Sequence, residues 1–339
     1  MNIYTAGRGL FTAVTMLLLS ASLFVMSGCG DKKATATKTI GVVLFGDSRQ
    51  PQVDGFKDGL SRLGYKPDES IKYVMRNAKN KRPELKMLVQ DLIDQDVDLL
   101  VAAGGLEADT MKKMLGGKKI PVIVLYVNAI TERGLVQSRR EPGWEVTGID
   151  NLNAELSGKR VELMQDLLPD MKNILILYYE KIPPSRIGVA KAREIAEQSN
   201  IGIDARAVSS RDEIKQTMES LEPGEVDAML TVPTAPIDNA LKDVILPNVD
   251  RLKLPLMTHS RPLAEKGALA SYGAHFYDMG AQAARLADKV LKGVDASRIP
   301  FETPKKVVYT MNEEVKDALG IQLTDVVRIQ VDEFIKTDK

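Results

Sequence analysis

The sequence predicts an α/β protein made of two lobes, each with a parallel β-sheet wound by helices. Short runs rich in Val, Ile and Leu alternate with amphipathic segments, which is typical of parallel sheets covered by helices. The alternation begins near residue 39 and restarts after residue 149. The C-terminal elements are too few to bury a core of their own, so we expect them to complete both lobes. That arrangement implies several crossings between the lobes, a hinge and a cleft.

The first lobe begins with a buried strand at 39–45. The helix predicted at 52–63 has Val53, Phe56 and Leu60 at helical spacing, so these side chains face the core. Further helices are predicted at 83–93 and around Met111, and further strands at 71–75, 98–102, 120–125 and 146–149.

The chain after residue 149 repeats the alternation, and its C-terminal elements complete both lobes. Helices are predicted at 154–168, 185–198, 211–221, 236–249, 278–291 and 312–319, and strands at 173–179, 203–208, 227–230, 255–257, 268–272 and 307–309. We assign residues 39–149 and about 256–275 to the first lobe, and residues 150–255 and about 276–335 to the second lobe.

The N-terminal 29 residues have the pattern of a secretory signal. Arg8 precedes an apolar run at 10–26, and Cys29 follows Ser27 and Gly28. This ending resembles the lipobox of bacterial lipoproteins, which implies a lipid on Cys29 that holds the protein at the membrane of the cell envelope. The alternative is an uncleaved anchor helix, because the run is near the lower limit of about 17 residues for spanning a bilayer. Residues 30–38 are small and polar, as in a flexible tether.

Composition excludes several functions. Lys plus Arg and Asp plus Glu are 46 each, so nucleic acid is not an expected partner. Cys29 is the only cysteine, which leaves the mature chain without disulfides, zinc thiolates or a cysteine nucleophile. Two histidines do not suggest a metal site, and we expect no cofactor. The mature chain also has no nucleophile elbow, Walker loop or dinucleotide fingerprint, so we expect no catalytic residues.

Six sequence blocks stand out along the chain: FKDGL at 56–60, GLV at 134–136, VTGID at 146–150, GALASYG at 267–273, PFETPKK at 300–306 and ALGI at 318–321. In the same order, they resemble blocks of the substrate-binding proteins of ABC importers, some of which bind aromatic amino acids. The resemblance spans about residues 40–335 and implies a type I periplasmic-binding-protein fold that closes on a small solute between its lobes. It also implies an ABC permease and ATPase as partners, a location facing the periplasm or cell exterior, and no enzymatic activity; we expect a monomer.

The ligand site is expected in the loops that follow strands, because open parallel sheets bind ligands beyond the carboxyl ends of their strands. Amides beside Gly104 and Gly105 would bind an anionic group, or these residues form an ordinary glycine turn. Arg261 would pair with a carboxylate, or it lies in a hydrated hinge loop. The full set of candidates is Asp47, Ser48, Gly104, Gly105, Asn128, Tyr179, Thr234, His259, Ser260, Arg261 and His275.

Four positions depart from the family pattern by lacking a carboxylate. Asn128 to Ile130 stand in place of Thr-Asp-Pro, and His259 and Ser260 in place of Ser-Asp; His275 and Ala235 replace acidic residues. These departures predict a ligand that is less cationic than a typical amino acid, such as a small organic anion or a neutral metabolite. Two other functions remain open at this point: a receptor that signals to a membrane sensor kinase, and an extracytoplasmic enzyme.

Overall fold

The computed structural model describes residues 37–338. The signal segment, Cys29 and nearly all of the tether therefore lie outside the described residues. From Lys38 onward the chain forms one compact unit. None of the helices found between residues 37 and 338 combines the length and the apolarity needed to cross a bilayer.

The first lobe contains a five-stranded, fully parallel sheet in the order β2-β1-β3-β4-β5. Val53, Phe56 and Leu60 lie on its first helix and are fully buried, as the helical spacing predicted. Its elements are β1 Lys38–Leu44, α1 Gln50–Arg62, β2 Ile71–Asn77, α2 Arg82–Asp94, β3 Leu99–Ala102, α3 Gly105–Leu115, β4 Val122–Val127 and β5 Val146–Asp150.

The second lobe contains a seven-stranded sheet in the order β12-β11-β10-β9-β8-β6-β7, in which only β10 and β11 pair antiparallel. The prediction of two α/β lobes with parallel sheets is therefore confirmed. The elements from residue 157 onward are α4 Ser157–Leu167, β6 Asn173–Tyr178, α5 Pro183–Gln198, β7 Gly202–Ala207, α6 Arg211–Glu219, β8 Ala228–Leu230, α7 Ala235–Ala240, α8 Leu246–Leu252, β9 Leu256–Thr258, α9 Arg261–Glu265, β10 Ala270–Gly273, α10 Phe276–Leu291, β11 Val308–Asn312, α11 Glu313–Ala318, α12 Asp325–Gln330 and β12 Glu333–Ile335. A π-helical turn, Leu241–Ile245, joins α7 to α8.

Two stretches, 256–275 and 276–291, do not lie in the lobe to which the sequence analysis assigned them. Strands β9 and β10, within 256–275, continue the second sheet, because β9 pairs with β8. Helix α10 packs instead on α1, and Ala283 and Ala284 share the first-lobe core with Phe56. The assignment of 276–291 to the second lobe was wrong, since strand pairing and helix docking depend on partners distant in sequence.

Three segments between residues 37 and 338 cross from lobe to lobe, at 151–156, 274–275 and 300–307. The third runs parallel to the end of β5, directly before the first begins. The amide of Asp150 donates to the carbonyl of Glu302 at 2.8 Å, and the amide of Glu302 donates to the carbonyl of Gly148 at 2.9 Å. These bonds extend the first sheet into the crossover region and fix where the chain leaves each lobe.

Candidate functional site

Buried polar side chains follow the carboxyl ends of strands in both lobes. Asn128 follows β4, Thr234 follows β8, and His259 and Ser260 follow β9; none is more than 7% exposed. Buried polar atoms nearly always have a hydrogen-bond partner, so atoms without one are candidates for ligand contact. In this region the atoms without a partner among the described residues are Asn128 Oδ1, Asn151 Nδ2, Thr231 Oγ1, Thr234 Oγ1, Asp238 Oδ1 and His259 Nδ1.

Asp238 is a carboxylate that the sequence analysis did not place in this region. Its Oδ2 lies 3.5 Å from Nε2 of His259, which is almost fully buried. Asp238 stands three residues after Ala235, and both lie on α7. The family pattern has an acidic residue at the position of Ala235, and Asp238 lies within one helical turn of it. The sequence therefore contained a signal for this carboxylate.

The first lobe contributes an aromatic wall built on Tyr126 near the end of β4. Its ring meets Phe276 edge to face, with 5.2 Å between centroids, and the guanidinium of Arg49 lies 5.3 Å from its centroid. Burial raises the pKa of the Tyr126 phenol, the Arg49 cation opposes this rise, and the Asp238 carboxylate adds to it. Tyr126, Phe276 and Arg49 thus form one packed group on the first lobe.

Gly104 and Gly105 lie at the start of α3, as expected. A Cβ on Gly104 would lie 3.0 Å from Arg49 Cζ and from Glu107 Oε2, and one on Gly105 would lie 3.1 Å from Arg133 Cζ. The missing side chains therefore make room for two arginines and a protein carboxylate. Anion binding by the amides of these glycines stays a prediction.

Arg160 in α4 is a buried cation that sequence analysis missed. It is fully buried, and burial lowers its pKa to about 9. Arg160, Met164 and Leu167 recur at helical spacing, and all three are buried. An arginine on the apolar face of a predicted helix was therefore the sequence signal that indicated a buried cation.

Three of the predicted site residues contribute no atom to the unpartnered set. Asp47 and Ser48 are exposed, and Asp47 pairs with Lys79 at 3.2 Å. Tyr179 packs against the core of the second lobe, where burial and the Glu213 carboxylate raise its pKa. Ligand contact by these side chains stays a prediction that no observed contact favours.

Arg261 and His275 converge on Glu333 of β12. Arg261 Nε and His275 Nε2 lie 3.4 Å and 3.5 Å from Glu333 Oε2. Arg261 also pairs with Glu265, and His275 lies 3.7 Å from Asp278. Both basic side chains thus have acidic neighbours within the protein. His275 Nε2 and Glu333 Oε2 are nevertheless buried without a hydrogen-bond partner among the described residues, so they belong with the unpartnered atoms named above.

Two further observations concern the rest of the described chain. A surface cavity of about 300 Å³ contains none of the candidate residues; it is lined by Asp278, Met279, Gln282, Pro304, Lys305 and Lys306. Within residues 37–338 no group of three or more His, Cys, Asp or Glu side chains is arranged to hold a metal ion.

Two α/β lobes joined by three crossovers, with polar side chains at the facing strand ends, define a two-lobed solute-binding protein. The family model for the ABC transporter substrate binding protein matches residues 39–335, and the chain belongs to this family. It is a family of solute-binding proteins and not of enzymes, and its members act outside the cytoplasm with an ABC permease.

Similar proteins agree in fold over nearly the whole chain. A tyrosine-binding protein of Clostridioides difficile is 28% identical over 314 residues, covering 91% of this chain and 88% of the relative. The ABC domain from Streptococcus pneumonia in complex with L-Trp has a TM-score of 0.79 at 25% identity and covers 88% of this chain and 100% of its own. A ligand-free, open substrate-binding protein from Clostridium difficile has a TM-score of 0.72 at 23% identity. The match covers 89% of this chain and 100% of the other.

Proposed function

We propose that this protein is the solute receptor of an ABC importer and captures an α-amino acid between its two lobes. Binding draws the lobes together about the crossovers, and the closed form delivers the solute to the permease. The observation that carries the proposal is the set of unpartnered buried polar atoms at the strand ends, contributed by both lobes. A small polar solute between the lobes would satisfy these atoms.

An amino acid is favoured over an anion or a neutral metabolite by Asp238. The hypothesis of a less cationic ligand assumed that the cleft had lost its carboxylates. Asp238, whose Oδ1 is buried without a partner in the described chain and whose Oδ2 lies 3.5 Å from His259 Nε2, supplies one. The two relatives named for tyrosine and L-Trp also support this ligand class.

A binding screen tests the proposed ligand class. The chain starting after Cys29 is assayed by thermal shift and calorimetry against the twenty protein amino acids and a set of small carboxylic acids. At a hundredfold excess over Kd, a ligand stabilises the folded state by about 2.7 kcal/mol, so at least one amino acid should raise the Tm. Thr234→Val should weaken that ligand, whereas the control Ser61→Ala, at an exposed position outside the candidate site, should not. Capture of carboxylic acids alone would contradict the proposal.

We also propose that a lipid on Cys29 holds the receptor at the membrane, within reach of its permease. The lipobox-like ending of the N-terminal segment supports this. Cys29→Ser should abolish labelling by radioactive palmitate and release the protein from the membrane fraction. Membrane retention without labelling, in either the wild type or the variant, would instead indicate an uncleaved anchor helix.

A further inference from the structure

His259 and Asp238 bring an imidazole and a carboxylate together in the second lobe. His259 directly follows β9, and Asp238 lies on α7, which follows the neighbouring strand β8. His259 Nε2 lies 3.5 Å from Asp238 Oδ2; the imidazole is 4% exposed and the carboxylate side chain 27%. An ionised carboxylate accepts hydrogen bonds and donates none, so it favours the form of the ring that carries its proton on the facing nitrogen, Nε2.

That tautomer leaves Nδ1 of His259 as a hydrogen-bond acceptor, because one nitrogen of a neutral imidazole donates and the other accepts. Nδ1 is buried, and no protein atom between residues 37 and 338 bonds to it. A buried acceptor without a partner is costly in free energy. This nitrogen therefore favours a donor that comes from outside the protein.

Two threonine hydroxyls lie in the same part of the second lobe. Thr231 directly follows β8, and its amide donates to the Met257 carbonyl in β9 at 3.0 Å, which places Thr231 beside the end of that strand. Thr234 precedes α7, and its carbonyl accepts from the Asp238 amide at 3.1 Å, so these two residues lie one helical turn apart. Oγ1 of both threonines and Oδ1 of Asp238 are buried without a partner in the described chain. The surroundings of His259 thus contain further oxygens that accept hydrogen bonds.

We propose that His259 binds the ammonium group of the amino-acid ligand through Nδ1, and that Asp238 is a positioning residue that fixes the tautomer of the ring. This inference rests on the proposed function and deepens it. An ammonium group has three donors and no acceptor, so it matches an unprotonated ring nitrogen with hydroxyl and carboxylate oxygens nearby. The inference also explains how a cleft in which His259 and Ser260 replace Ser-Asp still binds an ammonium group.

The first test compares an amino acid with its analogue that lacks the ammonium group, by calorimetry on the purified full-length protein. The probes are L-tyrosine and 3-(4-hydroxyphenyl)propanoate; where another amino acid binds more tightly, it and its own deaminated acid replace them. The wild type should bind the amino acid at least about tenfold more tightly than the acid, because the acid cannot make the charged hydrogen bond. His259→Leu should remove this preference, whereas His259→Asn, whose amide oxygen reaches the position of Nδ1, should keep part of it. Asp238→Asn should reduce the preference, and its control Asp243→Asn, at an exposed position, should keep it in full.

Nitrogen NMR on the same protein measures the tautomer directly. The sequence contains only two histidines, His259 and His275, so His259→Asn assigns the ring-nitrogen signals. We expect wild-type His259 to carry its proton on Nε2, and the signal of the unprotonated Nδ1 to move when the amino-acid probe saturates the protein. In Asp238→Asn, an amide N–H that faces Nε2 should transfer the proton to Nδ1, as expected when an orienting carboxylate is replaced by its amide. An unchanged tautomer in this variant would overturn the positioning role of Asp238.

The outcomes separate this inference from the proposed function. If amino acids bind but His259→Leu weakens the amino acid and the acid equally, or weakens neither, the inference is overturned while the proposed function stands. A wild-type ring with its proton on Nδ1 overturns the inference as well, and this measurement does not depend on the folding of a variant. If no amino acid binds, both are overturned.

Discussion

Arg160 carries a buried charge without an acidic partner among residues 37–338, and hydrogen bonds to neutral acceptors replace one. Its guanidinium donates to the carbonyls of Tyr272 at 2.8 Å and Asn153 at 2.7 Å, and to the side chains of Ser157 and Asn153 at 3.3 Å and 3.1 Å. Asn153 lies in the first crossover, and Tyr272 lies at the end of the strand before the second. One side chain therefore connects two of the segments that join the lobes.

Arg160→Lys is predicted to destabilise the protein although it keeps the positive charge. A lysine has one nitrogen and cannot reach acceptors on both sides as the planar guanidinium does, so buried acceptors lose their partners. We expect the free energy of unfolding in urea to fall by about 3 kcal/mol. Arg298→Lys, with a side chain that is 85% exposed, is the control and should change it by less than about 0.5 kcal/mol. Equal stability of the two variants would show that Arg160 does not hold the crossovers.

The backbones of helices α1 and α10 lie close together, because glycines of each helix face the backbone of the other. A Cβ on Gly55 would overlap the carbonyl oxygen of Tyr277, and one on Gly280 would overlap that of Gln52. Backbone atoms cannot rotate away as a flexible side chain can. This packing fastens α10, which follows the second crossover, to the first lobe.

Gly280→Ala is therefore predicted to be destabilising although alanine is the better helix former. The added methyl group requires the two helices to separate, which we expect to lower the free energy of unfolding by about 3 kcal/mol. Ser61→Ala on the exposed side of α1 is the control and should leave stability unchanged or slightly raised. Urea denaturation measures both variants. A Gly280→Ala protein as stable as the control would mean that α1 and α10 do not pack as described.

Elements with full apolar periods were predictable from the sequence, whereas their docking was not. The helix predicted at 52–63 is observed at Gln50–Arg62, since its apolar stripe spans three turns. Helix α9, Arg261–Glu265, and strand β12, Glu333–Ile335, are too short to show a period and were not predicted. The small apolar residues of α10 could pack against the core of either lobe. The periodicity of this helix therefore did not reveal that its glycine packs against the backbone of α1.

The candidate site was predictable in position and only partly in composition. Asn128, Thr234 and His259 were predicted because each follows a strand, and all three are buried beside unpartnered atoms. Asp238 and Arg160 were not predicted, because each lies within a helix and not directly after a strand. Sequence position gives the end of a strand, but it does not give the direction of a long side chain on a neighbouring helix.

At the scale of the whole molecule, the junction between the lobes contains a buried acid. Asp150 ends β5 at the first crossover, is fully buried, and accepts from Arg139 Nε at 2.7 Å. Burial raises its pKa to about 6, outweighing the Arg139 cation, and the Glu155 carboxylate adds to the rise. The junction therefore holds a carboxylate whose ionisation opposes folding near neutral pH.

Asp150 is predicted to make the stability of the two-lobed fold depend on pH between about 4 and 6. The ordinary pKa of this group is 3.8, and in the folded protein it is about 6, so in this window the folded state binds more protons than the unfolded chain. Its contribution to the free energy of unfolding therefore falls as pH rises, by on the order of 2 kcal/mol, and stays low at neutral pH. Asp150→Asn removes this titration. Relative to wild type, the variant should gain about that amount of stability between pH 4 and pH 7 in urea denaturation, whereas Asp94→Asn at an exposed position should gain none. A parallel pH profile for wild type and Asp150→Asn would show that Asp150 is already ionised across this range in the folded protein.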